Sequence, residues 1–254
     1  MIAEAKKKVS GTTTSKPEHD VFNSLTGSLQ GYNCDICLNK GVIYAVTDSG
    51  ELVAKRCKCM EIRKSITALE KSGISKSMSQ CRFDNFTDEK PYQKSMLLSA
   101  RNFTNKCSGF YFIGGQSGAG KSHICTAIAA EMLKKGLSLK YMLWRDDVTR
   151  LKQIANMPEY SDFIRPFKEN QVLYIDDFFK TMAGKPITQG DINIAFEIIN
   201  YRYINDLITI ISSELLLDEI INIDEATGSR IYEKCGTFRI NIKKDRTKNY
   251  RLKN

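Results

Sequence analysis

Short apolar runs alternate with longer amphipathic segments from Gly109 onward. Each run is four to six residues long and ends at glycine or polar residues, a pattern typical of strands buried inside a sheet. Helical spacing of apolar residues predicts helices that include Lys121–Lys135 and Ile192–Ile204. Because strands and helices alternate, we expect an α/β fold with a parallel sheet covered by helices on both faces. The predicted strands are Phe110–Ile113, Leu139–Trp144, Val172–Ile175, Ile208–Ile211 and Phe238–Ile242.

The first hundred residues have a different pattern. Residues 1–30 are rich in lysine, serine, threonine and glycine, and they predict a flexible leader. Cysteines cluster in residues 31–64, which we expect to form a small separate module. Residues 65–100 predict a helical linker with a break at Gly73. Residues 101–254 are then the large α/β domain.

The charge balance indicates an acidic partner. The 254 residues carry a formal net charge of +9, and nucleic acid is the commonest partner of such basic proteins. A basic surface exposed only to solvent explains the charge equally well. No apolar run approaches the roughly 18 residues of a transmembrane helix, and no apolar stretch follows the basic N-terminal cluster as in a secretory signal. We therefore expect a cytoplasmic protein without a membrane partner.

A phosphate-binding loop follows the first predicted strand. The residues from Gly115 to Ser122 fit the pattern G-x-x-x-x-G-K-[ST], and a helix is predicted directly after them. Glycines let backbone N–H groups turn toward phosphate, and the positive end of the helix faces the same ligand. Lys121 is expected to reach the β- and γ-phosphates, and the Ser122 hydroxyl to bind Mg²⁺. The predicted nucleotide-binding residues are Gly115, Gln116, Ser117, Gly118, Ala119, Gly120, Lys121, Ser122 and His123, the last without a chemical role.

Acidic and polar residues at two later strand ends would complete such a site. Asp176 is expected to hold Mg²⁺, and Asp177 to orient or deprotonate the attacking water; an ordinary strand end capped by two acids is the alternative. The next strand ends in Ser212, Ser213 and Glu214, one of which could contact the γ-phosphate or the water, unless they cap a helix. The sequence contains no N-K-x-D motif for guanine, so ATP is preferred over GTP.

Four cysteines form two closely spaced pairs. Cys34-x-x-Cys37 and Cys57-x-Cys59 flank a predicted hairpin. Four thiolates satisfy the tetrahedral coordination of Zn²⁺ and leave no position open for catalysis, so a structural zinc site is expected. The C-x-C pair is less common than C-x-x-C, and an iron–sulfur cluster or free thiols are the alternatives. The remaining cysteines lack paired spacing and are expected to be buried apolar residues: Cys81, Cys107, Cys125 and Cys235.

Together these motifs resemble one known family. The runs YFIGGQSGAGKSHICTAIA, LYIDDFFK, TIISSELLLDEI and ATGSRIYEKC are similar to segments of the DnaC/DnaI family of bacterial and phage replicative-helicase loaders. The resemblance covers roughly residues 80–254, and the upstream cysteine pairs resemble the zinc-binding N-terminal module of part of that family. It implies that residues 101–254 are an AAA+ ATPase domain that lacks the usual C-terminal helical lid.

The resemblance also implies partners. AAA+ cores work as oligomers in which an arginine of one subunit completes the neighbouring site, and Arg230 in GSRIYEKC matches that position. The N-terminal module is expected to bind the hexameric replicative DNA helicase, and the ATPase core to contact single-stranded DNA. The basic run from Arg239 to Lys253 is compatible with a DNA contact, with a solvated tail or with contacts to the nucleotide.

The leading hypothesis is an ATP-dependent helicase loader whose catalytic residues are Lys121, Asp176, Asp177 and Arg230. Asp177 stands where many AAA+ proteins have glutamate, so slow hydrolysis stimulated by a partner or by DNA is expected. One rival is a transposase helper ATPase. The other is a DNA-binding zinc protein whose ATPase core is a passive scaffold.

Overall fold

The computed structural model describes residues 18–71, 74–182 and 185–250. Most of the predicted leader, the predicted helix break at Gly73 and the basic residues Arg251 and Lys253 lie outside these ranges. The chain divides into two compact units, one ending at Met60 and the other beginning at Glu61. Within the described ranges, no helix is long and apolar enough to cross a membrane.

The first unit contains a two-stranded hairpin. Helix α1 (Glu18–Ser24) precedes the antiparallel strands β1 (Val42–Val46) and β2 (Leu52–Arg56), and helix α2 (Cys59–Lys71) begins shortly after them. The Phe22 and Tyr44 rings meet at 4.6 Å, and the Asn23 side chain forms two hydrogen bonds with the Tyr44 backbone. From residue 18 onward the structure thus has an ordered helix where the sequence predicts a flexible leader. The polar pattern does not predict this helix, because its anchoring partner lies 21 residues further along the chain.

The second unit consists of a five-stranded sheet and the helices around it. Its strands are β3 (Phe110–Gly115), β4 (Leu139–Leu143), β5 (Val172–Phe178), β6 (Ile208–Ser213) and β7 (Arg239–Ile242). Its helices, besides most of α2, are α3 (Ile74–Gln80), α4 (Pro91–Lys106), α5 (Lys121–Lys134), α6 (Trp144–Gln153), α7 (Tyr160–Glu169), α8 (Gln189–Ile204), α9 (Leu217–Ile223) and α10 (Glu225–Cys235). Short 3-10 turns lie at Phe83–Asn85 and Arg246–Lys248.

All five strands of this sheet are parallel, in the order β4-β5-β6-β3-β7. Strand β6 lies between β5 and β3, so the carboxyl ends of these three strands are adjacent. Ligands of open α/β sheets bind outside this edge. The predicted fold class, a parallel α/β sheet with helices on both faces, is confirmed. Between β7 and Tyr250 the chain contains a 3-10 turn and no helical lid.

Side chains along each strand point alternately to the two faces of the sheet, and each face packs against its own hydrophobic core. On β3, Phe110 and Phe112 belong to the core beneath α6 to α10, whereas Tyr111 and Ile113 belong to the core beneath α3 to α5. All four side chains are fully buried, as a continuous apolar run indicates for a strand covered on both faces. Because β3 is held from both sides, the loop that follows it starts from a rigid position.

Several element boundaries differ from those that the sequence predicts, among them those of β4 and α8. Strand β4 ends at Leu143, and Trp144 begins α6 with its ring buried rather than ending the strand. Helix α8 begins at Gln189, three residues before the predicted start. Thr188 and Asp191 cap it reciprocally, since each side chain accepts a hydrogen bond from the backbone N–H of the other.

A buried arginine fixes the opposite edge of the sheet. Arg202 on α8 is fully buried and donates to the Thr209 hydroxyl and to backbone carbonyls that include those of Asn170 at 2.9 Å and Ile208 at 2.6 Å. Burial lowers the pKa of Arg202 to about 9, so the side chain stays charged at neutral pH. The hydrogen bonds replace the water that the buried charge has lost and hold the starts of β5 and β6 together.

Candidate functional site

The loop between β3 and α5 curls around an open space at the carboxyl edge of the sheet. Gly115, Gly118 and Gly120 have positive φ angles of 111°, 73° and 93°. A Cβ atom at Gly115 would collide with the carbonyl oxygen of Ile242, and one at Gly118 with the side-chain oxygen of Asn249. The loop conformation and the close approach of the C-terminal segment therefore both require glycine.

Lys121 begins α5, and its side chain turns back into the loop. The ammonium group donates to the carbonyl oxygens of Gly115 at 2.8 Å and Gln116 at 2.9 Å. Burial lowers the pKa of Lys121, while the carboxylates of Glu214 and Asp177 act in the opposite direction. A buried cation beside the N-terminus of a helix makes this loop suited to an anion.

The Asp176 carboxylate is the centre of a hydrogen-bond network beside the loop. It accepts hydrogen bonds from the hydroxyls of Ser122 at 3.2 Å, Tyr141 at 3.2 Å and Ser212. These donors belong to α5, β4 and β6, so the carboxylate connects three elements to the end of β5. The oxygens of Ser122 and Asp176 are ligands of the kind that Mg²⁺ prefers, and their proximity fits that ion.

A bulge at the end of β5 brings the next residue to the same space. The pairing of β5 with β6 shifts by one residue between Ile175 and Phe178. Asp177 has a φ angle of 57°, and its backbone N–H donates to the Ser212 hydroxyl at 3.0 Å. Neighbouring residues of a regular strand point to opposite faces, and a bulge breaks that alternation. Two consecutive aspartates can therefore serve one site.

A cavity of about 220 Å³ lies between the loop and these strand ends. One part of its lining is the loop with Lys121 and Ser122, and another part is formed by Asp177, Lys180 and Glu214. The Lys180 ammonium lies 2.8 Å from the Asp177 carboxylate and 3.1 Å from the Glu214 carboxylate. This space, here named the phosphate cavity, combines two lysines of its lining with the N-terminus of α5, and helix N-termini favour anions.

The three polar residues at the end of β6 occupy different positions. Ser212 is buried and belongs to the network around the Asp176 carboxylate. Ser213 is also buried, but its hydroxyl donates to the carbonyl oxygen of Phe178 at 2.7 Å and supports the backbone. Glu214 lines the phosphate cavity. Glu214 is thus the member of this group that faces the cavity, whereas Ser212 acts through the Asp176 carboxylate.

The chain after β7 returns to the loop. The Tyr250 backbone N–H donates to the Gly118 carbonyl at 3.0 Å, and the Tyr250 hydroxyl lies 3.0 Å from the Gln93 side-chain oxygen. The Asp245 backbone N–H donates to the Gln116 side chain at 3.2 Å. The described part of the C-terminal basic run therefore contacts the loop, which the charge pattern alone does not reveal.

A second cavity, the side cavity, has a volume of about 200 Å³ and shares Gly118, Gly120 and His123 with the phosphate cavity. The His123 and Phe86 rings meet edge to face with their centroids 5.2 Å apart, and His123 Nε2 lies 3.0 Å from the Arg82 carbonyl oxygen. Aromatic and amide side chains thus lie beside the loop. The side cavity is also lined by Asn85, Gln93 and Tyr250.

Arg230 lies outside the described lining of both cavities. Its guanidinium group on α10 donates to the Asn200 side chain at 2.9 Å and the Ala226 carbonyl at 2.7 Å, and it lies 5.1 Å from the centre of the Phe196 ring. The role that the sequence predicts for Arg230 concerns the site of a neighbouring subunit, and it stays a prediction.

The four paired cysteines meet in the first unit. Their buried Sγ atoms all lie within 4.8 Å of one another, with 3.7 Å between Cys34 and Cys57 and 3.5 Å between Cys37 and Cys59. A tetrahedral zinc ion with Zn–S bonds of about 2.3 Å has sulfur–sulfur edges of about 3.8 Å. The cluster therefore fits such an ion.

The surroundings of the cluster favour thiolate at one position. Burial raises the pKa of Cys37, but hydrogen bonds from the Gly41 backbone N–H, at 3.2 Å, and from Cys59 outweigh it and bring the pKa to about 6. At Cys57 burial dominates and raises the pKa. Backbone N–H groups aimed at sulfur are the outer contacts that orient ligands and stabilise their charge in metal sites.

The fold and the site define an ATP-binding protein of the P-loop class. The sequence profile of the family described as IstB-like ATP binding protein matches residues 49–251, and the chain belongs to this family. The uncharacterized protein YqaM of Bacillus subtilis (strain 168) is 33% identical over 218 residues, covering 78% of this chain and 67% of YqaM. The phage-like element PBSX protein XkdC of the same strain is 31% identical over 223 residues, which cover 84% of this chain and 83% of XkdC.

Solved structures of replication proteins have a similar fold. The crystal structure of the DnaC helicase loader superposes with a TM-score of 0.53 and 21% identity, covering 66% of this chain and 98% of that one. The replication initiator DnaA bound to AMPPCP and single-stranded DNA gives a TM-score of 0.55 and 20% identity, covering 65% of this chain and 50% of that one. The present chain thus spans about half of that DnaA chain. These likenesses show the AAA+ fold, and with the family match they confirm the resemblance found in the sequence.

Replacement of Ser212 by alanine tests the network around Asp176. The variant loses one donor to the carboxylate, and a hydrogen bond to a charged group contributes about 1.5–3 kcal/mol. We expect Mg²⁺-dependent ATP binding to weaken about tenfold, the equivalent of about 1.4 kcal/mol. Titration of Mg²⁺ against a fluorescent ATP analogue measures the effect. The matched control, Ser213→Ala, should lower the unfolding temperature but leave the Mg²⁺ dependence unchanged. An unaltered Mg²⁺ dependence in Ser212→Ala would contradict the role given to Ser212.

Proposed function

We propose that this protein is an ATPase that loads a hexameric replicative DNA helicase onto single-stranded DNA. The enzymatic part rests on one observation: Lys121, Ser122 and Asp177 line one cavity, and the Ser122 hydroxyl donates to the Asp176 carboxylate beside it. The loading part is supported by the sequence motifs shared with the DnaC/DnaI family and by the similarity to the DnaC helicase loader.

In this proposal the backbone of the loop and Lys121 hold the triphosphate. Lys121 exchanges the carbonyl oxygens of Gly115 and Gln116 for phosphate oxygens, whose negative charge attracts the ammonium more strongly than a neutral carbonyl does. Ser122 and Asp176 hold Mg²⁺, which neutralises phosphate charge when bound. The aromatic and amide side chains of the side cavity suit the nucleobase, which must lie within reach of the same loop.

Asp177 is proposed to orient the attacking water. The water oxygen forms a bond to the γ-phosphorus, the bond from that phosphorus to the bridging oxygen of ADP breaks, and the proton passes to the Asp177 carboxylate. The carboxylate is engaged by Lys180 at 2.8 Å, which favours slow hydrolysis until the pair separates. ATP binding would then act mainly as a switch that a partner or DNA resets.

Oligomer formation completes the proposed site. Arg230 of one subunit would approach the γ-phosphate bound by its neighbour, where such an arginine raises the rate about 10³–10⁵-fold. Asn200 and the Ala226 carbonyl hold the side chain in the structure, so it is preorganised on α10. The unit that contains the cysteine cluster is proposed to bind zinc and, by analogy with the DnaC/DnaI family, to bind the helicase.

A transposase helper ATPase is the alternative, because the family also includes such proteins. The paired cysteines favour the loader, since they match the zinc module of part of the DnaC/DnaI family. If the protein bound a transposase and not a helicase, the transposase helper ATPase would be the correct assignment. The third candidate is a DNA-binding zinc protein with a passive ATPase core. If it is correct, the activity of the protein on DNA should survive the loss of ATP binding.

Delivery of the cognate helicase onto circular single-stranded DNA tests the main proposal. We expect ATP-dependent delivery by the wild-type protein and none by Lys121→Ala, because the neutral side chain cannot hold the triphosphate. Helicase bound to DNA is measured after removal of free protein. Lys134→Ala, at the exposed end of the same helix, is the matched control and should load normally. Full delivery by Lys121→Ala would favour the passive scaffold.

Mixing of two inactive variants tests Arg230. The Arg230→Ala variant should bind ATP within about twofold of wild type but lose about 10³-fold in turnover. Mixed with Lys121→Ala, it should regain turnover, because an intact Arg230 then faces an intact Lys121 across the subunit boundary. Phosphate release measures turnover, and Lys234→Ala on the same helix serves as the control. Unchanged turnover of Arg230→Ala alone would remove this residue from the site.

Metal analysis of the purified full chain tests the cysteine cluster. We expect one Zn²⁺ per chain, lost in Cys59→Ser and kept in Cys81→Ser. Binding to isolated zinc modules is worth roughly 10–16 kcal/mol, so loss of zinc should unfold residues 31–60 and expose them to protease. A visible absorption band with iron in place of zinc would indicate an iron–sulfur cluster. Absence of any metal in protein purified without chelators would leave the cysteines as free thiols.

A further inference from the structure

Lys180 is the charged side chain of the phosphate cavity to which neither the motifs nor the family assign a role. It lies three residues after Asp177, and its ammonium bridges the carboxylates of Asp177 at 2.8 Å and Glu214 at 3.1 Å. Lys180 and Lys121 line the same cavity of about 220 Å³. A polyanion in this cavity thus meets one lysine from the loop and a second lysine from the end of β5.

The backbone of Lys180 is held firmly, whereas its side chain can move. Phe179 has a φ angle of 60°, and the Lys180 backbone N–H donates to the Asp177 carbonyl at 2.9 Å. The rings of Phe178 and Phe179 pack against Trp144 with centroid distances of 4.7 Å and 5.3 Å. The lysine side chain is 36% exposed and has four rotatable methylene groups, so its ammonium can change partners without movement of the strand.

A terminal phosphate in the cavity would compete with two carboxylates for the Lys180 ammonium. Asp177 and Glu214 place two negative charges near the space that a terminal phosphate would enter, and Lys180 supplies the neighbouring positive charge. Burial lowers the pKa of Lys180, but hydrogen bonds to both carboxylates outweigh it, and the net shift is upward. The positive charge of Lys180 contributes to the lowered pKa of Lys121, so the two ammonium groups are close enough to repel each other.

We propose that Lys180 is a γ-phosphate contact that distinguishes ATP from ADP. With ADP, the ammonium stays with Asp177 and Glu214. With ATP, it turns to an oxygen of the terminal phosphate and releases the Asp177 carboxylate, which then orients the water. This inference rests on the proposed ATPase function, and it adds a residue that couples recognition of the third phosphate to exposure of the catalytic carboxylate.

A purely structural ion pair makes a different prediction. A partly exposed pair contributes little to stability. Once Asp177→Asn and Glu214→Gln have removed the two charges that would repel a terminal phosphate, loss of a purely structural Lys180 would change binding of ATP and ADP equally or not at all. A γ-phosphate contact changes ATP binding selectively, because ADP lacks the group that Lys180 touches. The ratio of the two affinities therefore separates the explanations without reference to catalytic activity.

The test is the affinity of the full-length protein for ATPγS and for ADP, each with Mg²⁺, measured by calorimetry. When Lys180→Met is added to the wild type, and also when it is added to an Asp177→Asn, Glu214→Gln background, we expect affinity for ATPγS to fall about tenfold, equal to about 1.4 kcal/mol, and affinity for ADP to stay within about twofold. Lys180→Arg should keep most of the preference for ATPγS. Lys185→Met, a nearby exposed lysine outside the lining of the phosphate cavity, is the matched control and should behave as wild type.

One result would overturn the inference: an unchanged ratio of the ATPγS and ADP affinities in Lys180→Met, whether both affinities stay the same or both fall equally. Unfolding temperatures of all variants identify any general loss of structure. If Lys180→Met is unstable, the comparison of ATPγS with ADP is made with Lys180→Arg instead. If the wild-type protein binds neither nucleotide, the proposed ATP site itself fails. If the wild type binds both and Lys180→Met keeps its preference, the role of Lys180 alone fails.

Discussion

The hydrogen bonds to the Asp176 carboxylate are the contact on which the rest of the site depends. Ser122, Tyr141 and Ser212 donate to this one group, and they come from a helix and two other strands of the sheet edge. The Asp176 carboxylate is half-buried, and a charge that has lost part of its water is costly without such partners, so the donors and the carboxylate define one another's positions. The network aligns the end of β5 with the phosphate-binding loop, and the nearby bulge then brings Asp177 to the same cavity.

Strain at the end of β5 is offset by packing directly behind it. Positive φ angles at Asp177 and Phe179 cost of order 1–3 kcal/mol each. Phe178 and Phe179 are both buried against Trp144, and burial of such a side chain contributes about 1.5–3 kcal/mol. The two effects are of similar size, so the aromatic cluster can maintain a conformation that the strand would not adopt alone. This strained turn is what directs Lys180 back toward Asp177.

The two units are stabilised in different ways. The ATP-binding unit has a large apolar core on each face of its sheet, and its loop and strand ends are held by those cores. In the first unit the buried cluster consists of four cysteines, with Tyr32, Ile43 and Met60 only partly buried around it. So small an apolar cluster contributes little to folding, which agrees with a module that depends on a bound metal.

Features that lie within short stretches of chain could be predicted before the fold was known. The loop from Gly115 to Ser122, the acids after β5 and the cysteine pairs are recognisable because backbone freedom and alternation are local properties. The parallel α/β class follows from the same periodicity. The family resemblance adds Arg230 to the predicted catalytic residues. Its predicted role is in the site of a neighbouring subunit, so contacts within one chain do not test it.

Which residues share a cavity depends on how distant segments of the chain pack together. Because β6 lies between β5 and β3, the Ser212 hydroxyl reaches the Asp176 carboxylate and Glu214 lines the phosphate cavity. The Tyr250 hydroxyl meets Gln93 across 157 positions of sequence, and no local pattern encodes that return. The physical reason is that strand order and chain return are set by burial of both sheet faces at once, a property of the whole chain and not of any segment.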